Sequence, residues 1–435
     1  MEDKIIDSYF AEAVQWRRQL HRCPQAAWLE YYATGFIAEK LSAWGYTLFL
    51  GKDVIDPARL ILSPADEQHE EQYRQALQFG VTEKFIAAAK GGLTGVVAVL
   101  KGEEPGPTVA FRFDIDANEV NEAGDSGHRP AREGFASQNP GYAHMCGHDA
   151  HAATGLVLAR YFSEHRELVK GTIKFIFQPN EENLSGASAM VAAGIVDDVE
   201  YLLGGHVGTS LKQLGQIAVN VNNIYPISRF LVTYRGRAAH AAIRPDEGRN
   251  ALLGACTAVV SLHAIARHGD GASQVNVGTI TAGTDWNVIP DKAVFRLETR
   301  GATDEINNYM VARAKEILNG VAVMYGLELE ITPAATACGG INSPALVALG
   351  SRVAQTLPSV KQLVPVAGLN GSEDFAVMMD RVQKRGGQAM FILYGTPIGG
   401  GHHNAAFDID ETVIINGAKF LAAIYQEIMQ QPAVK

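Results

Sequence analysis

The sequence predicts an α/β protein in which a sheet-and-helix domain is interrupted by a smaller α+β unit of ferredoxin-like order. Three observations carry this expectation. β-rich runs alternate with helical stretches between residues 95 and 203, residues 228–333 read strand, helix, two strands, helix, strand, and the first alternation then resumes. At 435 residues the chain exceeds the usual size of one hydrophobic core, which favours two domains. They are assigned to residues 1–222 with 337–435, and to residues 223–336.

In chain order, residues 9–44 carry apolar positions at helical spacing broken near Pro24, which predicts two helices. Residues 66–91 are charged, alanine-rich and helical in period until Gly91-Gly92 closes them, and 95–100 is the first expected sheet strand in this region. Strands at 108–113, 172–177 and 201–203 then alternate with helices at 150–165 and 186–193. The interrupting unit places helices at 251–266 and 304–325, with two strands between them ending near Arg300. Helices at 345–357 and from near Ser372, a strand at 390–394 and a last helix through Ile428 complete the chain, with 430–435 a frayed tail.

Composition narrows the function. A formal net charge of -10 without a basic stripe argues against nucleic acid as a partner. The start MEDKIIDSYF has acidic residues where a signal peptide carries positive charge, and the apolar stretch 251–266 is too short to span a bilayer. A cytoplasmic protein without a membrane partner is the expectation. Cys23, Cys146, Cys256 and Cys338 are too scattered to suggest a disulfide framework.

The chemistry gathers at strand ends. In HMCGHDAH, residues 144–151, Cys146 and His148 stand two apart in a glycine-containing loop before a helix, offering the thiolate and imidazole that zinc-like metals favour. Alone, such a pair is more often a small buried hydrophobe beside a polar loop residue. Further ligand types reverse that preference. Glu181 and Glu182 follow the strand at 172–177, Asp114 and Asp116 follow the strand at 108–113, and the strand at 201–203 leads to His206. The strand at 390–394 leads through three glycines to His402 and His403. Ligand sites of α/β sheets lie at such carboxyl ends, and adjacent carboxylates can divide the work of metal ligand and general base. A cysteine nucleophile at Cys146 with His148 as base is the rival reading.

These motifs, together with WRRQLHRCP, FRFDIDA, FQPNEE, GRAAHAAIRPDEGRNA, WNVIP, ETRGATD, GSEDF and GHHNAAFDIDE, resemble the aminoacylase and carboxypeptidase superfamily of co-catalytic metallopeptidases, amidohydrolase subfamily. The resemblance runs nearly end to end. It implies two divalent metal ions, manganese or zinc, held by Cys146, His148, Glu182, His206 and His403, with Cys146 bridging. It further implies Glu181 as general base, Asp116 orienting a ligand, and the smaller unit as a lid and dimerisation domain. His240 would then support the oxyanion across a homodimer, while Asn287 and Arg300 grip a free substrate carboxylate. The implied reaction is hydrolysis of an N-acyl or N-aroyl amino acid, p-aminobenzoyl-glutamate first, since the helical segment 66–91 points to the aminobenzoyl-glutamate branch. Other acylamino acids and a binding subunit within a hetero-oligomer are the alternatives. Two departures stand out: Asn180 where relatives usually have alanine, and Gln25 where glutamate is common after Pro24.

Overall fold

The computed structural model describes residues 2–431, so the expected tail lies outside the described residues from position 432 on. The principal strands are, in order, β1 Thr47–Leu50, β2 Val96–Lys101, β3 Glu104–Asp114, β4 Lys170–Gln178, β5 Tyr201–Val207, β6 Gln216–Ala218, β7 Ile227–Arg235, β8 Ser273–Ala282, β9 Lys292–Gly301, β10 Glu328–Ala337, β11 Gln362–Leu363 and β12 Gln388–Tyr394. The chain divides into two compact units. One takes the residues up to Asn222, Gly340–Leu369 and those from Asp374 on; the other takes Asn223–Gly339 and Asn370–Glu373.

The larger unit is built on a sheet of order β1-β2-β4-β3-β5-β12-β6-β11. Its centre, β4-β3-β5-β12, is parallel throughout. Parallel strands covered on both faces need apolar residues at every position, and the buried run Phe175, Ile176, Phe177 on β4 meets that need. The helices His148–Glu164 and Thr412–Met429 pack together over this sheet. Because the central strands share a direction, the residues leaving their carboxyl ends gather along one edge.

The run expected as a strand at 95–100 is β2, and an edge strand that the sequence reading did not name, β1, precedes it. β1 pairs antiparallel with β2 at the sheet's edge and is half exposed. Four residues with one wet face give too weak a pattern to separate from a loop.

The smaller unit has the expected strand, helix, strand, strand, helix, strand order, with sheet order β10-β7-β9-β8 and every pair antiparallel. The helices Ala251–His263 and Asp304–Tyr325 supply its core with Ala255, Ala258, Leu262, Met310, Ala314 and Leu318, packed on Val232, Tyr234, Phe295 and Leu297 of the sheet. Among the described residues no helix is long and apolar enough to cross a membrane.

Candidate functional site

Four strand ends and one helix start deliver the polar groups of the larger unit. β3 ends on Asp114, and β4 is followed by Glu181 and Glu182. His206 is the penultimate residue of β5 rather than lying past it, and His402 and His403 come from the turn after β12. His148 opens its helix behind Gly147, whose φ is +94° and whose missing side chain leaves room for Val207: a Cβ there would meet Val207 Cγ2 at 2.6 Å. His403 itself holds the left-handed φ of +58°, and its N–H donates to the carbonyl of Met145 at 2.8 Å. A non-glycine residue in that region stores backbone strain of the kind found at ligand clamps. The strained turn is thus tied directly beside Cys146.

The ligand atoms of Cys146, His148 and Glu182 lie within 4.8 Å of one another, as do those of Cys146, His206 and His402. Hydrogen-bond partners sort the histidines, because a neutral imidazole with one nitrogen donating keeps a lone pair only on the other. His148 Nδ1 faces the Asp116 carbonyl at 3.0 Å and carboxylate at 3.2 Å, and its buried Nε2 has no hydrogen bond. His206 Nδ1 donates to the Val207 carbonyl at 2.8 Å, turning Nε2 towards Cys146 Sγ at 3.3 Å. Both present Nε2 to the centre. His151 instead bonds Asp114 through Nδ1 at 2.5 Å and accepts the Val207 N–H on Nε2 at 3.0 Å. His402 accepts the Thr209 N–H on Nε2 at 3.0 Å and directs Nδ1 at Cys146 Sγ, 3.6 Å away. Each of these two rings spends its one lone pair on a backbone N–H, which suits supporting roles.

His403 is left as the donor from the last turn, its Nε2 3.2 Å from Glu182 Oε2. Hydrogen bonds to Cys146 and Glu182 push its pKa up to about 10. Burial opposes charge on His148, yet Asp114 and Asp116 outweigh it and raise that pKa too. Burial, then Glu182, raises the Cys146 thiol. Asp114 Oδ2, Glu181 Oε2 and Glu182 Oε1 each lie 3.9 Å from the bare Nε2 of His148. A buried nitrogen ringed by carboxylates, beside a thiol and a second imidazole that looks inward, is a donor set that fits divalent cations.

Asp116 also accepts the Glu182 N–H at 3.0 Å, so one carboxylate orients both an imidazole and the loop carrying the neighbouring ligand. The motif near the amino terminus serves the same loop. Arg17 and His21 both bond Asp149, at 2.9 and 2.8 Å, one residue after His148. Asn180 takes φ +55°, and its amide bonds Ser185 Oγ and the Asn183 side chain, closing the loop around the acidic pair. Gln25 donates to Gln72 in the helix Asp66–Gln78 at 3.0 Å, which a glutamate carboxylate could not do. That departure belongs with the extra helical segment.

The smaller unit places its candidates at two ends of one sheet. His240 bridges Val288, the Ala241 N–H donates to the Asn287 carbonyl at 2.9 Å, and both His240 and Asn287 lie outside the buried core. His240 Nδ1 accepts the backbone N–H of Ala242 and Ile243, leaving Nε2–H to donate outward. Arg300 pairs with Gln274 at the far end of β9, and its Nε donates to Glu298 at 2.7 Å. Eight residues of strand separate Arg300 from the start of β9 at Lys292, a span of roughly 26 Å. This corrects the expected shared grip: the hairpin holds Asn287 and Arg300 apart, so they cannot clasp one carboxylate within one chain.

The family model for peptidase family M20/M25/M40 matches residues 110–427. The chain belongs to that family. It is a hydrolase of the metallopeptidase and amidohydrolase type, and its relatives span the same length. Indole-3-acetyl-aspartic acid hydrolase of Enterobacter agglomerans is 42% identical over 97% of this chain and 96% of its own. One of the subunits of the p-aminobenzoyl-glutamate hydrolase of Escherichia coli (strain K12) is 41% identical over the same shares. The crystal structure of aminobenzoyl-glutamate utilization protein from Klebsiella pneumoniae superposes with a TM-score of 0.85 at 36% identity, covering all of both chains. Sequence reasoning missed the parts of His151 and His402 in this M20 site. His151 had a signal, since it stands one helical turn after His148 on the same helix.

Proposed function

We propose that this chain hydrolyses the amide bond between an aromatic acyl group and an acidic amino acid, with p-aminobenzoyl-glutamate as the leading substrate. The observation that carries the reading is the meeting of Cys146, His148, Glu182, His206 and His403 beside Glu181. Two divalent ions, manganese or zinc, are the cofactors proposed for these ligands. Bound there, such ions polarise the scissile carbonyl and make water acidic enough to attack near neutral pH. Glu181, buried beside the ligands, takes the proton of the attacking water and returns it to the departing amine. Asp116 holds His148 and the Glu182 loop in place throughout. The outward Nε2–H of His240 suits the oxyanion, and Arg300 suits the free carboxylate.

Separation of Arg300 from Asn287 supports a homodimer. β8 is an edge strand with exposed Ile280, beside a helix exposing Leu253 and Val260, and such edges pair readily with another chain. Two-fold pairing of β8 with a second copy is antiparallel. It sets the Gln274 end of one strand against the Ala282 end of the other, bringing Arg300 near Asn287 and His240 of the second copy. A homologous second subunit could occupy the same position. The 42% identity to an indole-3-acetyl-aspartate hydrolase favours a second substrate reading of the same class. A hydrolysis screen of both conjugates with aliphatic acylamino acids, under defined metals, tests the proposal. Turnover confined to aliphatic conjugates would replace it.

A further inference from the structure

The smaller unit contains a polar cavity of about 340 Å³ lined by Arg267, Ser273, Gln274, Asn276, Glu298 and Arg300. Its charges do not cancel. Glu298 already accepts from Arg229 at 2.9 Å and from Arg300 at 2.7 Å, each through Nε, so the terminal nitrogens of Arg300 remain directed elsewhere. Arg267 lies just beyond the helix Ala251–His263, is exposed, and its guanidinium has no hydrogen-bond or ion-pair partner among the described residues. Two arginines thus pair with one carboxylate, and one of them, Arg300, shares the cavity with Arg267. A concave site with surplus guanidinium charge and amide groups at its wall suits a ligand carrying more than one carboxylate.

We propose that this cavity receives the amino-acid half of the substrate, with Arg300 taking the α-carboxylate and Arg267 taking the side-chain carboxylate of glutamate or aspartate. This rests on the amidohydrolase reading above and deepens it, because it names the residue that separates acidic conjugates from neutral ones. Gln274 and Asn276 offer side-chain amides at the cavity wall that can donate to the same anion. A lone exposed arginine would carry no such meaning. Here it shares a cavity with the arginine proposed above for the free carboxylate.

The experiment compares kcat/KM of the metal-loaded protein on p-aminobenzoyl-glutamate, -glutamine and -alanine, for wild type, Arg267→Ala, Arg267→Glu and Arg300→Ala. Wild type is expected to favour glutamate over glutamine by at least about tenfold, the worth of one charge-assisted contact. Arg267→Ala should bring that ratio towards one, chiefly through KM, and Arg267→Glu should invert it. Arg300→Ala should lower all three substrates while keeping the ratio. An unchanged ratio in Arg267→Ala, or no preference in an active wild type, overturns the inference and leaves the amidohydrolase reading standing. Failure of wild type to cleave any acylamino acid with metal present overturns both. Unaltered thermal melting of the Arg267 variants excludes misfolding as the cause of a lost ratio.

Discussion

In the larger unit, ligand-type side chains from three strand ends gather around one buried nitrogen of His148, and the turn after a fourth strand brings His402 to Cys146 and His403 to Glu182. In the smaller unit His240 and Asn287 stand outside the core at one end of a sheet, with Arg300 at the other. The first arrangement is complete within one chain, since burial forces every polar group to find a partner or a cation. The second is not: accessible groups can wait for a partner from outside. On the function proposed above, metal binding and proton transfer belong to the chain alone, whereas oxyanion support and carboxylate recognition call for two copies.

The largest effect should come from the complete side of that comparison. Glu181→Gln is expected to keep its metals and lose turnover by about 10²- to 10⁴-fold, because an amide cannot accept the proton. Near-normal rate at full metal content would remove Glu181 from the role of base. Cys146→Ala should instead lower bound metal, read by elemental analysis.

Next comes the incomplete side. Mixing inactive His240→Ala with inactive Glu181→Gln protein should restore part of the activity, because one hybrid site then holds both intact groups. Absence of recovery despite proven subunit exchange would put His240 in its own chain's site or outside catalysis. A smaller loss, at least about tenfold in kcat/KM, is expected for Arg300→Ala on free-acid substrates. The matching methyl esters should respond little. Equal losses on both would make Arg300 a structural residue of the smaller unit.

The smallest effect concerns stability. Burial would raise the carboxyl of Glu411, but hydrogen bonds from Arg18 and the charges of Arg17 and Arg129 hold it below its ordinary value. Its folded pKa is thus below the unfolded value of about 4.3. Its contribution is full above that pH and fades as pH falls through the folded value. Glu411→Gln should lower Tm at pH 7 and flatten the acid-side fall in Tm, as read by calorimetry between about pH 7 and 3. An acid limb as steep as in the wild type would show that Glu411 contributes nothing to it.

Much of this was legible in the sequence because the signals were long or dense. The helix at 304–325 is found at those residues, and the strand, helix, two strands, helix, strand order of the smaller unit is as read. Parallel strands with buried faces announce themselves as apolar runs, and their ends bring Asp116 to Glu182 and His206 to Cys146. What stayed hidden depends on hydrogen bonds between distant residues. Nothing in HMCGHDAH or GGGHH says that His151 and His402 spend their ring lone pairs on backbone N–H groups, because the partners Val207 and Thr209 come from elsewhere in the chain. Likewise a spacing of thirteen residues from Asn287 to Arg300 looks like proximity across a hairpin until the strand register shows one in the loop and the other at the far end.

Metal titration of the chelated protein bears most directly on the claim that these five donors form a working metal centre. After chelation and dialysis, manganese or zinc is added back stepwise while bound metal and amide hydrolysis are measured together. The account expects no turnover in the metal-free protein and activity rising to a plateau at two ions per chain. Full activity in protein shown to be free of metal, abolished by thiol alkylation, would contradict it and return Cys146 to the role of nucleophile.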